Sequence, residues 1–315
     1  MPLIDVRSLH LSIATGHIIQ KQKVILDDVS FSVEQGSCTA YLGTNGAGKT
    51  STFRILCGLV APNQGEVYFD GQRMTQGLPP QRFGFMPEHP YFYKNLTPHE
   101  LLMGLGRLSG LTAHALPSLI AQWAERLEFS RVLHQRLSTC SKGQVQRVGL
   151  TQALMHQPDF VLLDEPLSGL DPIGRACVRQ VIQDETQRGA TLLFSSHILS
   201  DAEAMCDGVI VLQQGRVRYS GEIHQLLAHQ DGWLLQARGR ACWSDDDEGI
   251  HITQSLDGTW QLRGDDAQQR DTWLQRILAA DDITLVSATA EQRSLEDAFL
   301  DLLNSKEEHN HARHS

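Results

Sequence analysis

Residues 43–50 have the sequence GTNGAGKT, and no other segment of this chain constrains the fold as strongly. Glycines at this spacing let a loop turn several backbone N–H groups inward, where they bind a polyphosphate. Residues 37–42 before the loop are apolar enough to form a strand, and residues 51–59 after it have helical spacing. The order of strand, loop and helix predicts a site for a nucleoside triphosphate, with a glycine-rich surface turn as the alternative interpretation.

The side chains of this loop indicate how a nucleotide is held. Lys49 is placed to reach the outer phosphates as a point charge, and the Thr50 hydroxyl is placed to bind the Mg²⁺ that accompanies the nucleotide. A helix that begins near Gly48 directs the positive end of its dipole at the same phosphates. The predicted nucleotide-binding residues of this segment are Gly43, Thr44, Asn45, Gly46, Ala47, Gly48, Lys49, Thr50 and Ser51.

Length and composition favour a globular protein with more than one domain. The chain has 315 residues, of which 41% are hydrophobic and 20% charged, an ordinary balance for a folded protein. No apolar run approaches the roughly 20 residues of a membrane span, and the amino terminus lacks a signal-peptide pattern, so a cytosolic location is expected. The net charge of −10 argues against nonspecific binding to nucleic acid. Six cysteines without a CxxC pair indicate neither a zinc site nor a disulfide framework.

Strand and helix patterns divide the chain into two domains and a tail. Residues 1–224 alternate short apolar strands with helical segments, as parallel α/β sheets do, and a helical subdomain is predicted at about residues 95–157. Residues 225–304 mix strand patterns with two helical patterns, which predicts a small α+β domain. The polar residues 305–315 are predicted to form a disordered tail.

Two adjacent carboxylates end a second apolar segment, residues 160–165 (FVLLDE). Such a run is typical of a strand buried in a parallel sheet, whose carboxyl end lies at the edge where ligands bind. Asp164 is therefore predicted to hold Mg²⁺ through its water shell. Glu165 is predicted to accept a proton from the water that attacks the terminal phosphate, which makes it the candidate general base. An exposed acidic pair is the alternative, and it fits poorly directly after a buried strand.

Three further motifs accompany the loop and the carboxylates in a distinctive order. Residues 140–144 read CSKGQ, residues 168–171 read SGLD and residues 192–197 read LLFSSH. Together these motifs resemble those of the nucleotide-binding subunits of ATP-binding cassette (ABC) transporters. The resemblance implies the α/β fold of a P-loop NTPase of the ABC ATPase type with a helical insert, followed here by the small α+β domain. It also implies ATP and Mg²⁺ as cofactors.

The segment CSKGQ matches the family signature, usually LSGGQ, except at its first and third positions. In the family this signature completes the nucleotide site of the opposite subunit, so the resemblance implies a homodimer or heterodimer of ATPase subunits. Ser141, Gly143 and Gln144 are thereby assigned to nucleotide binding. Ser141 is also a suitable N-cap for the helical pattern that follows.

The remaining two motifs imply roles for Asp171 and His197. Asp171 belongs to the loop that in the family links the two nucleotide sites, and it is assigned to the nucleotide-binding set. His197 matches the family's switch histidine, which touches the terminal phosphate, whereas spacing alone would favour a structural histidine. The catalytic residues that the resemblance implies are Lys49, Glu165 and His197.

Two departures from the family pattern concern the binding of Mg²⁺ and the recognition of adenine. Glu88 stands where the family has a glutamine that contacts Mg²⁺ and couples to the permease, and an ordinary exposed loop acid is the alternative. Relatives stack adenine on an aromatic side chain upstream of the loop, but Phe31 is the first aromatic residue here. His17 or Ile18 is the candidate replacement, which leaves use of GTP open. The predicted metal ligands are Thr50, Asp164 and Glu88.

The resemblance implies an ATP-hydrolysing subunit that powers a separate membrane permease from the cytoplasmic face of the membrane. Residues 294–303 (SLEDAFLDLL) resemble the tail of subunits from bacterial exporters, which favours export. A soluble ABC ATPase acting on ribosomes or DNA is the alternative, disfavoured by the single cassette and by the absence of a long heptad pattern before the signature. No nucleic-acid partner is expected. A regulatory module that binds ATP without turnover is a further alternative, disfavoured by Glu165.

Overall fold

The computed structural model describes residues 2–15, 21–75, 82–227, 232–239, 243, 250–255, 257–264, 266–280, 282–290 and 294–304. The chain divides into two compact units, Met1–Ile223 and His224–Ser315. His17 and Ile18, the candidates for contact with adenine, lie outside the described residues, and so does the predicted tail 305–315. No helix in the described ranges is long and apolar enough to cross a membrane.

An antiparallel sheet opens the first unit. Its strands are β1 (Pro2–Thr15), β2 (Lys21–Glu34), β4 (Gln64–Phe69) and β5 (Gln72–Arg73). They are arranged in the order β2-β1-β4-β5. Apolar side chains of this sheet share one buried cluster with side chains of the second sheet, for example Leu9 and Val29 with Tyr41 and Leu193. The two sheets therefore enclose a common core.

The second sheet of this unit carries the segments that end in predicted site residues. Its strands are β3 (Cys38–Gly43), β6 (Phe83–Met86), β7 (Phe160–Asp164), β8 (Thr191–Ser196), β9 (Gly208–Gln213) and β10 (Arg216–Glu222). The order is β10-β9-β3-β8-β7-β6, with β10 antiparallel to β9 and the other neighbours parallel. Every residue of β3, β7 and β8 is buried, as continuous apolar runs in a parallel sheet require.

The strand and helix predicted around the phosphate loop are both present, with shifted ends. The strand predicted at 37–42 is β3, and the helix predicted at 51–59 is α1 (Lys49–Leu56). The predicted end of the helix was wrong by three residues. Gly58 takes a left-handed conformation with φ +71° and closes the last turn by donating its N–H to the Ile55 carbonyl.

Helices fill the predicted insert. They are α2 (Pro98–Leu108), α3 (Leu116–Arg126) and α4 (Lys142–Leu154), with single 3₁₀ turns at Ser130–Val132 and Leu137–Thr139. α2 begins at a capping box, in which Thr97 Oγ1 accepts the Glu100 N–H and the Glu100 side chain accepts the Thr97 N–H. Ser141 and Gln144 form the same capping box at the start of α4, so Ser141 is the N-cap expected from its residue type.

Three more helices follow: two lie in the first unit, and the third begins at the last residue of that unit. They are α5 (Pro172–Gln187), α6 (Leu199–Met205) and α7 (Ile223–Leu227). α5 connects β7 to β8, which are parallel neighbours, so it is the crossover helix that a parallel pair of strands requires.

After α7, the described residues of the second unit form an antiparallel sheet and two further helices. Its elements are β11 (Trp233–Gly239), β12 (His251–Gln254), β13 (Thr259–Gly264), α8 (Ala267–Leu278), β14 (Ile283–Ala290) and α9 (Leu295–Asn304). The sheet order is β12-β13-β11-β14. Trp233, Trp260 and Trp273 dominate its buried cluster. The predicted α/β fold with a helical insert and a further unit of strands and helices is confirmed.

Candidate nucleotide-binding site

A cavity of about 550 Å³ lies at the carboxyl edge of the parallel sheet. Three neighbouring strands end there, because β3 continues into the phosphate loop, β7 ends at Asp164 and β8 ends one residue before His197. The cavity is lined by residues 44–51 together with Lys23, Ile25, Glu88, Asp164, Glu165 and His197. The sheet topology thus brings the phosphate loop, the predicted catalytic residues and the predicted metal ligands to the same cavity.

Glycine is required at both ends of the phosphate loop. At Gly43, a Cβ atom would lie 2.4 Å from the Leu212 carbonyl oxygen of the neighbouring strand. At Gly48, φ is +115° and a Cβ would lie 2.6 Å from Leu26 Cδ2. Gly48 is also the N-cap of α1 and supplies no side-chain cap, so the first N–H groups of this helix have no side-chain acceptor from the cap.

Lys49 is held inside the loop as a buried cation. Its Nζ donates to the Gly43 carbonyl at 2.6 Å, and the residue is only 9% exposed. Burial lowers the pKa of the Lys49 amine, an effect that the nearby carboxylates Glu165, Asp164 and Glu88 oppose. No carboxylate in the described residues lies within ion-pair distance of Lys49. A phosphate chain in the loop would supply the missing counter-charge.

The Thr50 hydroxyl and the Asp164 carboxylate lie together, as metal ligands require. Thr50 Oγ1 donates to Asp164 Oδ2 at 3.2 Å, and Ser195 Oγ donates to Asp164 Oδ1 at 2.6 Å. Asp164 is almost completely buried. Hydroxyl and carboxylate oxygens form the donor set that Mg²⁺ prefers, so these residues fit a nucleotide-bound magnesium ion. Glu88 lines the same cavity from the loop after β6, and its Oε1 lies 3.6 Å from His89 Nε2.

Glu165 is held by contacts on its backbone and on its side chain. Its φ of +51° is left-handed, which is uncommon for a residue with a Cβ atom. The Glu165 N–H donates to Ser195 Oγ at 2.9 Å, and the Glu165 carbonyl accepts from Gln146 Nε2 at 3.2 Å. Its Oε2 lies 2.6 Å from His197 Nδ1. The predicted base and the predicted switch histidine are therefore direct neighbours.

The signature residues lie on a different part of the first unit. Ser141, Gly143 and Gln144 are absent from the lining of the cavity in the part of the chain that the structure describes. A Cβ on Gly143 would lie 3.3 Å from Leu170 Cδ2, so the signature contacts the loop 168–171 of the same chain. This separation agrees with a role outside the chain's own cavity.

Asp171 is the N-cap of α5 rather than a cavity residue. Its Oδ1 accepts the Gly174 N–H at 2.8 Å and lies 3.6 Å from Arg147 Nη2. Arg147 belongs to the signature helix α4 and also contacts Glu128 Oε2 at 3.3 Å. An ionic contact thus joins the signature helix to the loop that begins α5.

Sequence reasoning missed several residues that contact the site. Lys23 and Ile25 reach the cavity from β2, where alternate residues share a face, but no motif marks them. Ser195 contacts the Asp164 carboxylate and the Glu165 backbone N–H, and Gln146 contacts the Glu165 carbonyl. β8 carries three hydroxyl residues, Thr191, Ser195 and Ser196, so a hydroxyl in the strand did not single out Ser195.

Comparison with known proteins decides the family. A family model described as ABC transporter matches residues 26–168. The uncharacterized ABC transporter ATP-binding protein YxlF of Bacillus subtilis is 39% identical over 203 residues, which cover 64% of this chain and 68% of YxlF. An uncharacterized ABC transporter ATP-binding protein of Nostoc sp., all4389, is 32% identical over 296 residues, 93% of this chain and 87% of that protein. The chain belongs to the family of ABC transporter ATP-binding proteins.

A solved structure supports the fold of this ABC ATPase. The dimeric post-hydrolysis state of the ATP-binding cassette MJ0796, bound to ADP and Pi, superposes with a TM-score of 0.64 at 21% identity. The match covers 70% of this chain and 98% of that chain. This similarity shows the fold of an ATP-binding cassette. As a member of the family of ABC transporter ATP-binding proteins, the chain is an ATPase that binds and hydrolyses ATP.

Proposed function

We propose that this ABC ATPase is the energy-supplying subunit of an exporter whose permease is a separate membrane-spanning chain. One observation carries the energy-supplying part of the proposal: the phosphate loop, Asp164, Glu165 and His197 line a single cavity at the end of a parallel sheet. The export part is supported by residues 294–303, which resemble the tail of exporter subunits. A buried cation, a metal-side carboxylate and a candidate base in one cavity are the groups that phosphoryl transfer to water requires. The subunit would act at the cytoplasmic face of the membrane.

The phosphates and the metal are proposed to be held by residues of the loop and of the neighbouring strands. Lys49 would bind the outer phosphates, since among the described residues its buried ammonium has only carbonyl acceptors at hydrogen-bond distance. Thr50 and Asp164 would hold Mg²⁺, with Glu88 on another side of the cavity. When bound, Mg²⁺ neutralises charge on the phosphates during transfer.

Glu165 is proposed to take the proton of the attacking water, and His197 to orient both Glu165 and the terminal phosphate. The 2.6 Å contact between Glu165 Oε2 and His197 Nδ1 supports this pairing. An ionised carboxylate only accepts hydrogen bonds, so His197 Nδ1 donates the proton of this contact. The other ring nitrogen, Nε2, takes no part in it. Oε1 of Glu165 then serves as the proton acceptor for water.

Two ATPase subunits, identical or homologous, are proposed to close over two ATP molecules. Ser141, Gly143 and Gln144 of one subunit would bind the nucleotide of the other, and Asp171 would lie between the two sites. Their position outside the chain's own cavity supports this arrangement, as does the dimer of the structurally similar MJ0796. Hydrolysis removes the phosphate that both subunits bind, so the closed state loses its ligand and opens.

The permease is proposed to dock beside Glu88, on the loop that precedes the helical insert. Tyr91 and Tyr93 on this loop are 89% and 81% exposed, which is unusual for two neighbouring aromatic side chains. Aromatic residues contribute strongly to protein interfaces. A docked permease would lie next to a cavity residue, which supports coupling through Glu88.

Isolation of the tagged protein from its native membrane in mild detergent, followed by mass spectrometry, tests the permease. The expected companion is one protein with several membrane spans. Replacing Tyr91 and Tyr93 together by alanine is expected to remove it while ATP binding stays unchanged. Leu59→Ala, which truncates a side chain that is 67% exposed elsewhere in the same unit, is the matched control and should retain it.

Recovery of ribosomes or DNA in place of a membrane-spanning protein would contradict the proposal and favour the soluble alternative. Export is tested separately, with the isolated complex reconstituted in vesicles that have the ATPase on the outside. ATP added outside should then drive substrate of the identified permease into the vesicle lumen. Movement of that substrate out of preloaded vesicles would indicate import instead.

A further inference from the structure

The Ser195 hydroxyl is buried and contacts the Asp164 carboxylate and the Glu165 backbone N–H. Ser195 is the penultimate residue of β8 and has no exposed surface. Its Oγ donates to Asp164 Oδ1 at 2.6 Å and accepts the Glu165 N–H at 2.9 Å. The contacts follow from sheet register, since Asp164 and Ser195 are direct partners in the parallel pairing of β7 with β8.

The direction of the two hydrogen bonds is determined by chemistry. An ionised Asp164 carboxylate has no proton to give, so the single hydroxyl proton of Ser195 lies toward Asp164. The lone pairs of the same oxygen are then available to the Glu165 N–H. Ser195 Oγ therefore links the Asp164 carboxylate to the backbone of Glu165 through two hydrogen bonds.

The backbone of Glu165 needs this support. Its φ of +51° is unfavourable for a residue with a Cβ atom and persists where surrounding groups determine the conformation. Ser195 Oγ binds the N–H on one side of Glu165, and Gln146 Nε2 binds the carbonyl on the other side. Both polar backbone groups of this residue are thus fixed by side chains from two other elements, β8 and α4.

We propose that Ser195 is a positioning residue for ATP hydrolysis, whose hydroxyl sets Asp164 and Glu165 relative to each other. The inference rests on the proposed role of Glu165 as base. Ser195 is not among the described residues that line the cavity, so its effect is transmitted through the Asp164 carboxylate and the Glu165 backbone. Loss of the hydroxyl frees the Glu165 N–H and leaves Asp164 Oδ1 without its donor, while Lys49 and the phosphate loop are unchanged.

Ser195→Ala tests the proposal by separating turnover from binding. The kcat for ATP is expected to fall by about 10- to 100-fold, as for a misplaced catalytic group, while KM stays within about twofold because the phosphate loop is intact. Direct titration with ATP and Mg²⁺ provides a readout independent of turnover. ATP affinity should stay within about twofold both with and without Mg²⁺, so that the loss is confined to turnover.

Thr191→Val is the matched control on the same strand. Thr191 is also fully buried, and its Oγ1 accepts the Gly36 N–H at 2.8 Å, away from the cavity. This variant removes a buried hydroxyl and leaves an unpaired N–H, so it should lower the free energy of unfolding while kcat stays near the wild-type value.

Three outcomes decide between the explanations. A normal kcat in Ser195→Ala, with Glu165→Gln inactive, would overturn the positioning role and leave the proposed base intact. An equal loss of kcat in Thr191→Val would also overturn it, because the effect would then be a general response of β8. Normal turnover by Glu165→Gln would overturn the role of the base itself, and the inference with it.

Discussion

His197 Nδ1 lies 2.6 Å from Glu165 Oε2, and the two residues follow neighbouring strands of one parallel sheet. The Glu165 side chain is 13% exposed and that of His197 is 57% exposed. The histidine is thus the more exposed member of the pair. A ligand phosphate that engages His197 would therefore also affect the orientation of Glu165.

His197→Ala should lower kcat by about 10- to 100-fold, because it removes a contact that orients Glu165. ATP affinity should change little, since Lys49 and the loop N–H groups remain. Steady-state hydrolysis measured beside an ATP titration checks both parts. A tenfold weaker ATP affinity at unchanged kcat would show that His197 serves binding and not the chemical step.

Lys49→Ala should weaken ATP binding itself, since it removes the buried cation of the phosphate loop. Isothermal titration with ATP measures the effect directly. Lys94→Ala removes an exposed lysine outside the cavity lining and is the control that should bind ATP normally. Unchanged affinity in Lys49→Ala would show that the loop has been misinterpreted.

Gly48→Ala should be more destabilising than Gly46→Ala. Both glycines have positive φ, so each substitution costs about 1–2 kcal/mol from the left-handed conformation. A Cβ at Gly48 also meets Leu26 Cδ2 at 2.6 Å, whereas a Cβ at Gly46 meets no atom of the described residues within 4 Å. Urea unfolding of both variants checks the order. Equal stability would mean that Leu26 moves aside without cost.

His156 should make stability depend on pH below neutrality. Burial lowers the pKa of this histidine, whose Nε2 lies 3.0 Å from the Phe83 carbonyl and whose buried Nδ1 has no hydrogen-bond partner within the described ranges. The unfolded chain, with a histidine pKa of about 6.5, therefore binds more protons than the folded chain in the window below that value. Stability accordingly rises with pH through this window and is lost as pH falls through it.

His156→Gln keeps a donor for the Phe83 carbonyl but does not titrate. The loss of unfolding free energy between pH 7 and pH 5 should be smaller in this variant than in the wild type. Urea unfolding at several pH values compares the two. Identical pH dependence would assign the effect to other groups.

The sequence allowed prediction of those parts of the site that depend on local pattern. The glycines around Lys49 dictate a loop between a strand and a helix, and an apolar run that ends at Asp164 dictates a buried strand with its carboxylates at the ligand edge. These features require only neighbouring residues, and the structure has both.

Contacts set by sheet register could not be predicted in the same way. Ser195 meets Asp164 because β7 and β8 pair in parallel with those residues opposite each other, although 31 positions separate them. Lys23 reaches the cavity because β2 passes near the phosphate loop. Neither relation leaves a spacing or composition signal, since it depends on how distant strands pack.

ATP hydrolysis by Glu165→Gln, measured beside ATP binding to the same protein, tests the assignment of the base most directly. Glutamine keeps the size of the side chain and cannot accept the proton of water. Binding should be retained, and turnover should fall by roughly 100- to 10,000-fold, the contribution of a positioned general base. Turnover near the wild-type rate would contradict the role of Glu165 and require another proton acceptor in the cavity.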